Sequence, residues 1–212
     1  MTKKEAIEGM LSRLKDPLGK RGFSLLKTRA IFVGTEDELQ PIFSFQVVVI
    51  EQSGVEFRPH VSIRAEAVEA IRQQVEQTAP LAAKNSITLG NELGRITGNV
   101  HRWRVEARSQ EELDSAATGM VQTMDDGAMP FYKQYDNLKA IDEHVNTHPD
   151  KPAILCPLHV QRAEIGVIVG RLVGRADLDG LVKAHRAFLE TISKHDVKEF
   201  EEFLVRLNGA TT

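Results

Sequence analysis

The stretch Ile42–Ile50, IFSFQVVVI, decides how the rest of this chain is read. Aromatic and β-branched residues fit a pleated, half-buried surface. A period of two puts Phe43, Phe45, Val47 and Val49 on one face. On the other face Ser44 and Gln46 sit among Ile42, Val48 and Ile50. Neither face is fully polar, which predicts a central strand. Outward from it, Phe23 to Val33 reads as one strand of mixed pattern. An acidic turn over Gly34 to Gln40 joins that strand to the central one. On the far side Gln52, Ser53 and Gly54 form a turn into a third strand, Glu56 to Arg64. There Phe57, Val61 and Ile63 face the core, and Glu56, Arg58, His60, Ser62 and Arg64 face away. Strands joined by short turns imply an antiparallel meander.

Further out the helical period takes over. Thr2 and Glu5 have capping-box spacing, and Ile7, Met10, Leu11, Leu14 and Leu18 follow on one face until Asp16-Pro17 and Gly19 end or kink the helix. A second helix is expected from Ala65 to Thr78, with Val68, Ile71 and Val75 inward and Pro80 as the stop. Gly90, Gly94 and Gly98 allow only a short or bulged strand over Ile87 to Gly98. Val100 to Arg108 is the last expected strand, with Trp103, Val105 and Ala107 inward. From Ser109 onward the pattern is helical. Ser109/Glu112 reads as a capping box and Gly127 as the end of that helix. Asp136 is the expected cap of the next, Pro157 opens another that runs to about Gly174, and Asp177 and Asp196/Glu199 cap the last two. The fold class is therefore α+β: an antiparallel sheet with N-terminal and crossover helices over 1–108, then an all-helical half over 109–212 packed against it as one compact unit.

Composition narrows the class of protein. A net charge of −3 and a pI near 6.2 disfavour a dedicated nucleic-acid binder. A single cysteine cannot form an internal disulfide, which points to a reducing compartment. The start, MTKKEAIEGML, lacks an apolar signal-peptide core, and Ile154 to Gly174 carries too many charges to span a bilayer. These features imply a cytoplasmic, bacterial protein with no membrane partner.

Four groups of residues are candidates for chemistry. His144, His148, Cys156 and His159 are metal-ligand types, H-x3-H followed by C-x2-H, but the spacing matches no common structural zinc signature, and solvated loop histidines are the plainer account. Cys156, before Pro157, could be a thiolate at a helix N-terminus with His159 nearby; a small buried hydrophobe explains it as well. Arg58, His60 and Arg64 share a parity, as do Arg102, Arg104 and Arg108. On neighbouring strands they would form a basic face able to hold phosphate or carboxylate. A solvated face with Glu56 and Glu106 as cross-strand partners is the competing account, and Trp103 and Phe57 have the wrong parity to stack nucleic-acid bases. Finally, Gly166, Gly170 and Gly174 mark close helix approach, inside the chain on the Asp177 helix in preference to a homodimer seam.

The order LGKRGF, IFSFQVVVI, VEFRPHVSI and MPFYKQYDNLKAI resembles a group of uncharacterised bacterial proteins that carry a domain of unknown function. That resemblance implies an α+β fold and carries over no catalytic residue. Some proteins of this type look like immunity or adaptor proteins. The expectation is a non-enzymatic protein without a cofactor that binds another protein through the polar sheet face or through Phe131, Tyr132 and Tyr135. The alternatives are an enzyme or small-ligand site between the halves using His101, Tyr132 or Tyr135, and a basic sheet face for nucleic acid or another polyanion.

Overall fold

The computed structural model describes residues 1–35, 38–50, 54–76 and 86–210. The fold is α+β, a six-stranded antiparallel sheet with helices before, between and after its strands. Helix α1 (Lys3–Gly19) opens with the expected capping box, Glu5 N–H donating to Thr2 Oγ1 and Thr2 N–H to Glu5. It runs through Pro17 and buries Ala6, Met10, Leu14 and Leu18. The single strand expected over Phe23 to Val33 is a hairpin instead, β1 (Phe23–Leu26) and β2 (Ile31–Gly34), with Phe23 opposite Gly34. A short 3-10 turn reverses the chain and leaves Ala30 in the left-handed region at φ 54°.

The central stretch belongs to β3 (Leu39–Ile50), the middle of the five-strand order β1-β2-β3-β4-β5. Its inward face thins toward the end: Phe43 and Val47 are buried, whereas Val49 is exposed. Strand β4 (Gly54–Ala65) alternates as expected up to His60, then buries both faces from Val61 to Ala65. Helix α2 (Glu66–Glu76) follows, and its expected tail and Pro80 stop lie outside the described residues, as do parts of the Gly34–Gln40 and Gln52–Gly54 turns. Strand β5 (Leu89–Glu92) is short and leads into the single turn of α3 (Leu93–Ile96). The last strand, β6 (Val105–Ala107), pairs with β4 and is much shorter than the expected Val100 to Arg108. The reason is Trp103, whose indole N–H donates to Thr97 Oγ1 at 2.7 Å and holds the preceding residues in a turn.

Gly127 does not end a helix. Helix α4 (Leu113–Thr123) continues through a π-turn at Met124–Ala128 into α5 (Met129–Gln134). A Cβ at Gly127 would overlap Leu93 and stand 3.0 Å from the Trp103 ring, so the glycine admits both side chains. At the start of α4, Glu112 N–H donates to Ser109 Oγ as expected, while the Glu112 carboxylate accepts from Arg108 N–H. Beyond it come α6 (Leu138–Asn146), α7 (His159–Leu172), α8 (Leu178–Ile192) and α9 (Lys194–Ala210). Three caps differ from expectation. Asn137, not Asp136, accepts from Ala140 N–H at 2.9 Å. Asp177 gives its carboxylate to Arg175 at 2.9 and 2.7 Å. Ser193 accepts from Asp196 N–H at the head of α9.

The chain forms two compact units, residues 1–63 with 90–134, and residues 64–89 with 135–212. These boundaries differ from a division at Ser109. Secondary structure does change near there, since beyond Ala107 the described residues hold helices and one isolated bridge, Ala153 to Cys156. In the first unit α1 lies along α4, tied by Arg13 to Asp114 at 2.6 Å and by Arg21 to Asp125 at 2.5 and 2.6 Å. In the second, α7 is the hub: α2, α6, α8 and α9 all touch it, and every residue from Arg162 to Gly170 is buried. A helix buried on all sides is one that its neighbours enclose. Gly166 and Gly170 make that enclosure close. A Cβ at Gly166 would overlap Asn146 and sit 2.7 Å from His185 Nε2, and one at Gly170 would press on Leu178 and Leu181 at 3.0 and 3.3 Å. Gly166 and Gly170 thus report packing within the unit, against α6 and the helix that follows Asp177, whereas Gly174 lies past the end of α7 at φ 74° with nothing within 4 Å of its Cβ position and belongs to the turn.

Candidate functional site

Two charged clusters have formed, one in each unit, and only the first was sought. On the outer face of β4, Arg58 Nε donates to Glu56 at 2.6 Å, and Arg104 lies 3.6 Å from the same carboxylate. Arg104 also donates twice to Glu92 at 3.1 Å, and Arg95 stands 3.7 Å from the other Glu92 oxygen. His60 sits half-buried here with Nε2 unpaired, and burial holds its imidazole below the ordinary range. The β4–β6 register, Glu56 opposite Glu106 and Phe57 opposite Val105, brings these side chains to one face. The arginines therefore meet carboxylates from their own sheet.

The other expected members of that face go elsewhere. Arg64 is buried in the second unit, bound to Glu66 at 2.8 Å and to the Ser86 hydroxyl at 2.6 Å. Arg102 lies over its neighbour Trp103, 4.5 Å from the ring centroid, and Arg108 is exposed beyond the end of β6. His101 is exposed as well. The aromatic segment offers no open surface. Phe131 and Tyr132 are buried, with Tyr132 packed on Phe23 and Phe131 and donating its hydroxyl to Ile42 O at 2.8 Å. Tyr135, in the second unit, is buried with its hydroxyl 3.2 Å from His144 Nδ1.

His144, His148, Cys156 and His159 are not gathered. Among the described residues no group of three or more histidine, cysteine, aspartate or glutamate side chains is placed to hold a metal ion. The Cys156 thiol is buried, and burial pushes its pKa up to about 12, the reverse of what a nucleophilic thiolate requires. His148 is exposed and lends its backbone carbonyl to Arg162. That arginine, almost fully buried, donates to the carbonyls of Val145, His148 and Lys151, satisfying the acceptors left where α6 ends. Asn146 beside it donates to Asp142 and to Gly166 O, so its Oδ1 accepts from His185 Nε2 at 2.9 Å. Burial pushes His185 down to about 3, and the imidazole stays neutral. This network is structural.

The second charged cluster lines an open groove of about 530 Å³ in the second unit. Its walls are the end of α2 (Arg72, Glu76), residues 157–161 and Glu164 around the first turns of α7, and Asp196, Glu199 and Arg206 on α9. Glu164 is only 5% exposed, carried inward by the enclosed helix. Arg72 Nη2 reaches it at 3.4 Å, but the same guanidinium also serves Glu69 at 3.3 Å and Glu76 at 2.9 Å. Glu69 is itself fully buried and accepts from the Thr88 hydroxyl at 2.8 Å. One cation thus answers several carboxylates. Burial raises Glu164 to about 7; Arg72 opposes that rise, and the nearby Glu76 and Glu199 add to it. A buried carboxyl that titrates near neutrality inside a cleft is a mark of functional sites. Two of the groove's polar atoms, Arg72 Nε and His159 Nδ1, are buried without a hydrogen-bond partner. Buried polar atoms are nearly always paired, so two such atoms on one groove set it apart. At the rim Leu158 is 65% exposed.

Of this groove only His159 was among the candidates for chemistry read from sequence, while Pro157, Asp196 and Glu199 were read only as helix-start residues. Glu164 did carry a signal, a carboxylate inside the otherwise apolar run AEIGVIVG. A wider concavity of about 710 Å³ in the first unit is lined by Lys15, Lys20 and Lys27, all exposed, with Asp16 among them. No described helix is long and apolar enough to cross a membrane. The class that the fold and site define is an α+β protein with an open, mixed-charge groove among its C-terminal helices. The chain matches no protein-family model, no curated protein and no solved structure.

Proposed function

We propose that this protein acts by binding another protein, without catalysis, and that the groove on the second unit is where the partner docks. The observation that carries this reading is the form of the groove: open to solvent, walled by charged side chains, and rimmed by the exposed Leu158. Ligand-enclosing sites are typically concave and mostly apolar, whereas this groove is open and charged beside an exposed apolar side chain that a protein partner would cover. The groove shows no nucleophile poised beside a base, and the buried cysteine nearby has its thiol held protonated. The resemblance to immunity-like and adaptor-like bacterial proteins points the same way.

One observation favours a second reading, a small-ligand or acid–base site in the same groove: Glu164 raised to about 7 alongside His159. The test is retention from native-host extract on immobilised full-length protein, with retained proteins and small molecules identified by mass spectrometry. A protein held by the wild type and by Val49→Asp, but lost from Leu158→Asp, supports docking at the groove. A small molecule held in place of any protein favours the second reading. Retention that ignores Leu158 overturns docking at this groove.

A further inference from the structure

We propose that the groove takes a cationic side chain, an arginine or lysine presented by the partner protein, whose charged end lies among Glu76, Glu164 and Glu199 and whose aliphatic stem lies along Pro157 and Leu158. This rests on the protein-binding reading of the same groove and names what it recognises. The first argument is charge balance within the walls. Glu76, Glu164, Asp196 and Glu199 face Arg72 and Arg206, and Arg72 is already shared with Glu69 outside the groove lining. An added cation relieves that excess.

The second argument is the state of the two most buried members. The one hydrogen bond from a cation to Glu164 is long, 3.4 Å, because Arg72 is held by Glu76 at 2.9 Å. A guanidinium or ammonium from outside would give this carboxylate the short, charge-assisted bond it lacks. The third argument is independent of the acids: the half-buried His159 lines the same wall, and its Nδ1, covered and unpaired in the free protein, becomes an acceptor for an N–H once the imidazole turns toward the groove. The imidazole packs against Phe188, ring centroids 5.2 Å apart and nearly perpendicular. The apolar residues at the rim suit the stem, since long cationic side chains lay their methylenes on apolar surface.

Binding is coupled to proton release. Glu164 faces Glu69, Arg72 and Glu76 from α2 and Asp196, Glu199 and Arg206 from α9, with His159 on its own helix, and it titrates near 7. An incoming cation favours the carboxylate, so affinity rises with pH through neutrality.

The experiment is an NMR titration of the full-length protein with N-acetyl-arginine methylamide, following the Arg72 Nε–H and His159 ring signals. The matching citrulline derivative, uncharged and nearly the same shape, is the control. The expected result is a saturable response to arginine at pH 8, none to citrulline, and about tenfold weaker arginine binding at pH 6. Glu164→Gln is expected to weaken binding about tenfold at pH 8 and to flatten its pH dependence. Glu199→Gln, at an exposed position that leaves the fold intact, shifts affinity in the same direction. An equal response to citrulline, or affinity unchanged in both variants, overturns the proposal. An extract protein retained through Leu158 with no arginine response overturns the cationic anchor alone. An arginine response with no protein retained supports the anchor and overturns the protein-binding reading.

Discussion

The two charged clusters use the same residue types and reach opposite outcomes. On the sheet, Arg58, Arg95 and Arg104 surround Glu56 and Glu92, and each carboxylate has a cation within 3.1 Å. At the groove, Glu76 and Glu164 share Arg72 with the buried Glu69 behind it, and Glu164 is left with the longest contact. The difference lies in how the charges arrive. On a strand, alternate residues project to one face, so Glu56 and Arg58 meet as neighbours, and the residue just before the paired strand β6 supplies Arg104. On the enclosed α7 a charge is carried wherever the helix faces, and its partner must come from an element far along the chain, 92 residues away for Arg72. A cluster in which every carboxylate has a close cation is a surface; one that leaves a buried carboxylate with a shared and distant cation is where binding can do work.

The largest effect expected from breaking this contrast is on the closely paired side. Glu92→Gln removes the carboxylate that holds Arg104 while leaving the shape intact, and Glu92 is nearly buried. Loss of one partner from a buried pair costs about 3 kcal/mol or more. Urea unfolding at pH 7 measures it; a loss below about 1 kcal/mol would mean that the sheet cluster is no more than a solvated face.

The converse holds in the groove. Glu164 titrates higher in the folded chain than in the unfolded one, so its protonated form favours folding. That contribution is complete below the unfolded value and is lost as pH rises through about 7. Glu164→Gln is therefore expected to stabilise the protein by up to about 3 kcal/mol at pH 8 and to change nothing at pH 4. Unfolding curves for both proteins at the two pH values decide it, and equal stability at pH 8 would remove the charge surplus from the argument. The smallest effect sharpens the comparison. Glu199→Gln, at an exposed side chain, leaves stability within about 0.5 kcal/mol. Because Glu199 helps to raise Glu164, the variant should titrate Glu164 lower, as carboxyl carbon shifts would report.

How much of this could be read from sequence follows the same division. Alternation along Val55 to His60, the Thr2–Glu5 cap and the small-residue spacing of α7 are local patterns, and each appears in the fold. The α+β class followed from them. Where a third element intervenes, local pattern misleads. Arg64 has the parity of an exposed residue, yet Ser86 and Glu66 bind it in the interior. Gly127 has the look of a helix end, yet the need to admit Leu93 and Trp103 carries the helix on through a π-turn. Asp177 was the natural cap for α8, but an arginine two residues earlier competes for its carboxylate more strongly than a backbone amide does. The groove was the least legible feature. Glu164 stands out only as a carboxylate in an apolar run and Arg72 sits on an ordinary helical face, and nothing short of the fold brings them together.

The chain changes units at 63/64, 89/90 and 134/135, and this ordering constrains synthesis. As the ribosome delivers the polypeptide, α2 emerges with Val68 and Val75 bare, long before α7 and α9, the helices it touches, have been made. A product that stopped after Gln134 would hold every residue of the first unit together with a sticky, unclaimed helix inserted in its middle. Neither unit can be cut out as a continuous segment, and a premature stop yields a molecule prone to aggregate.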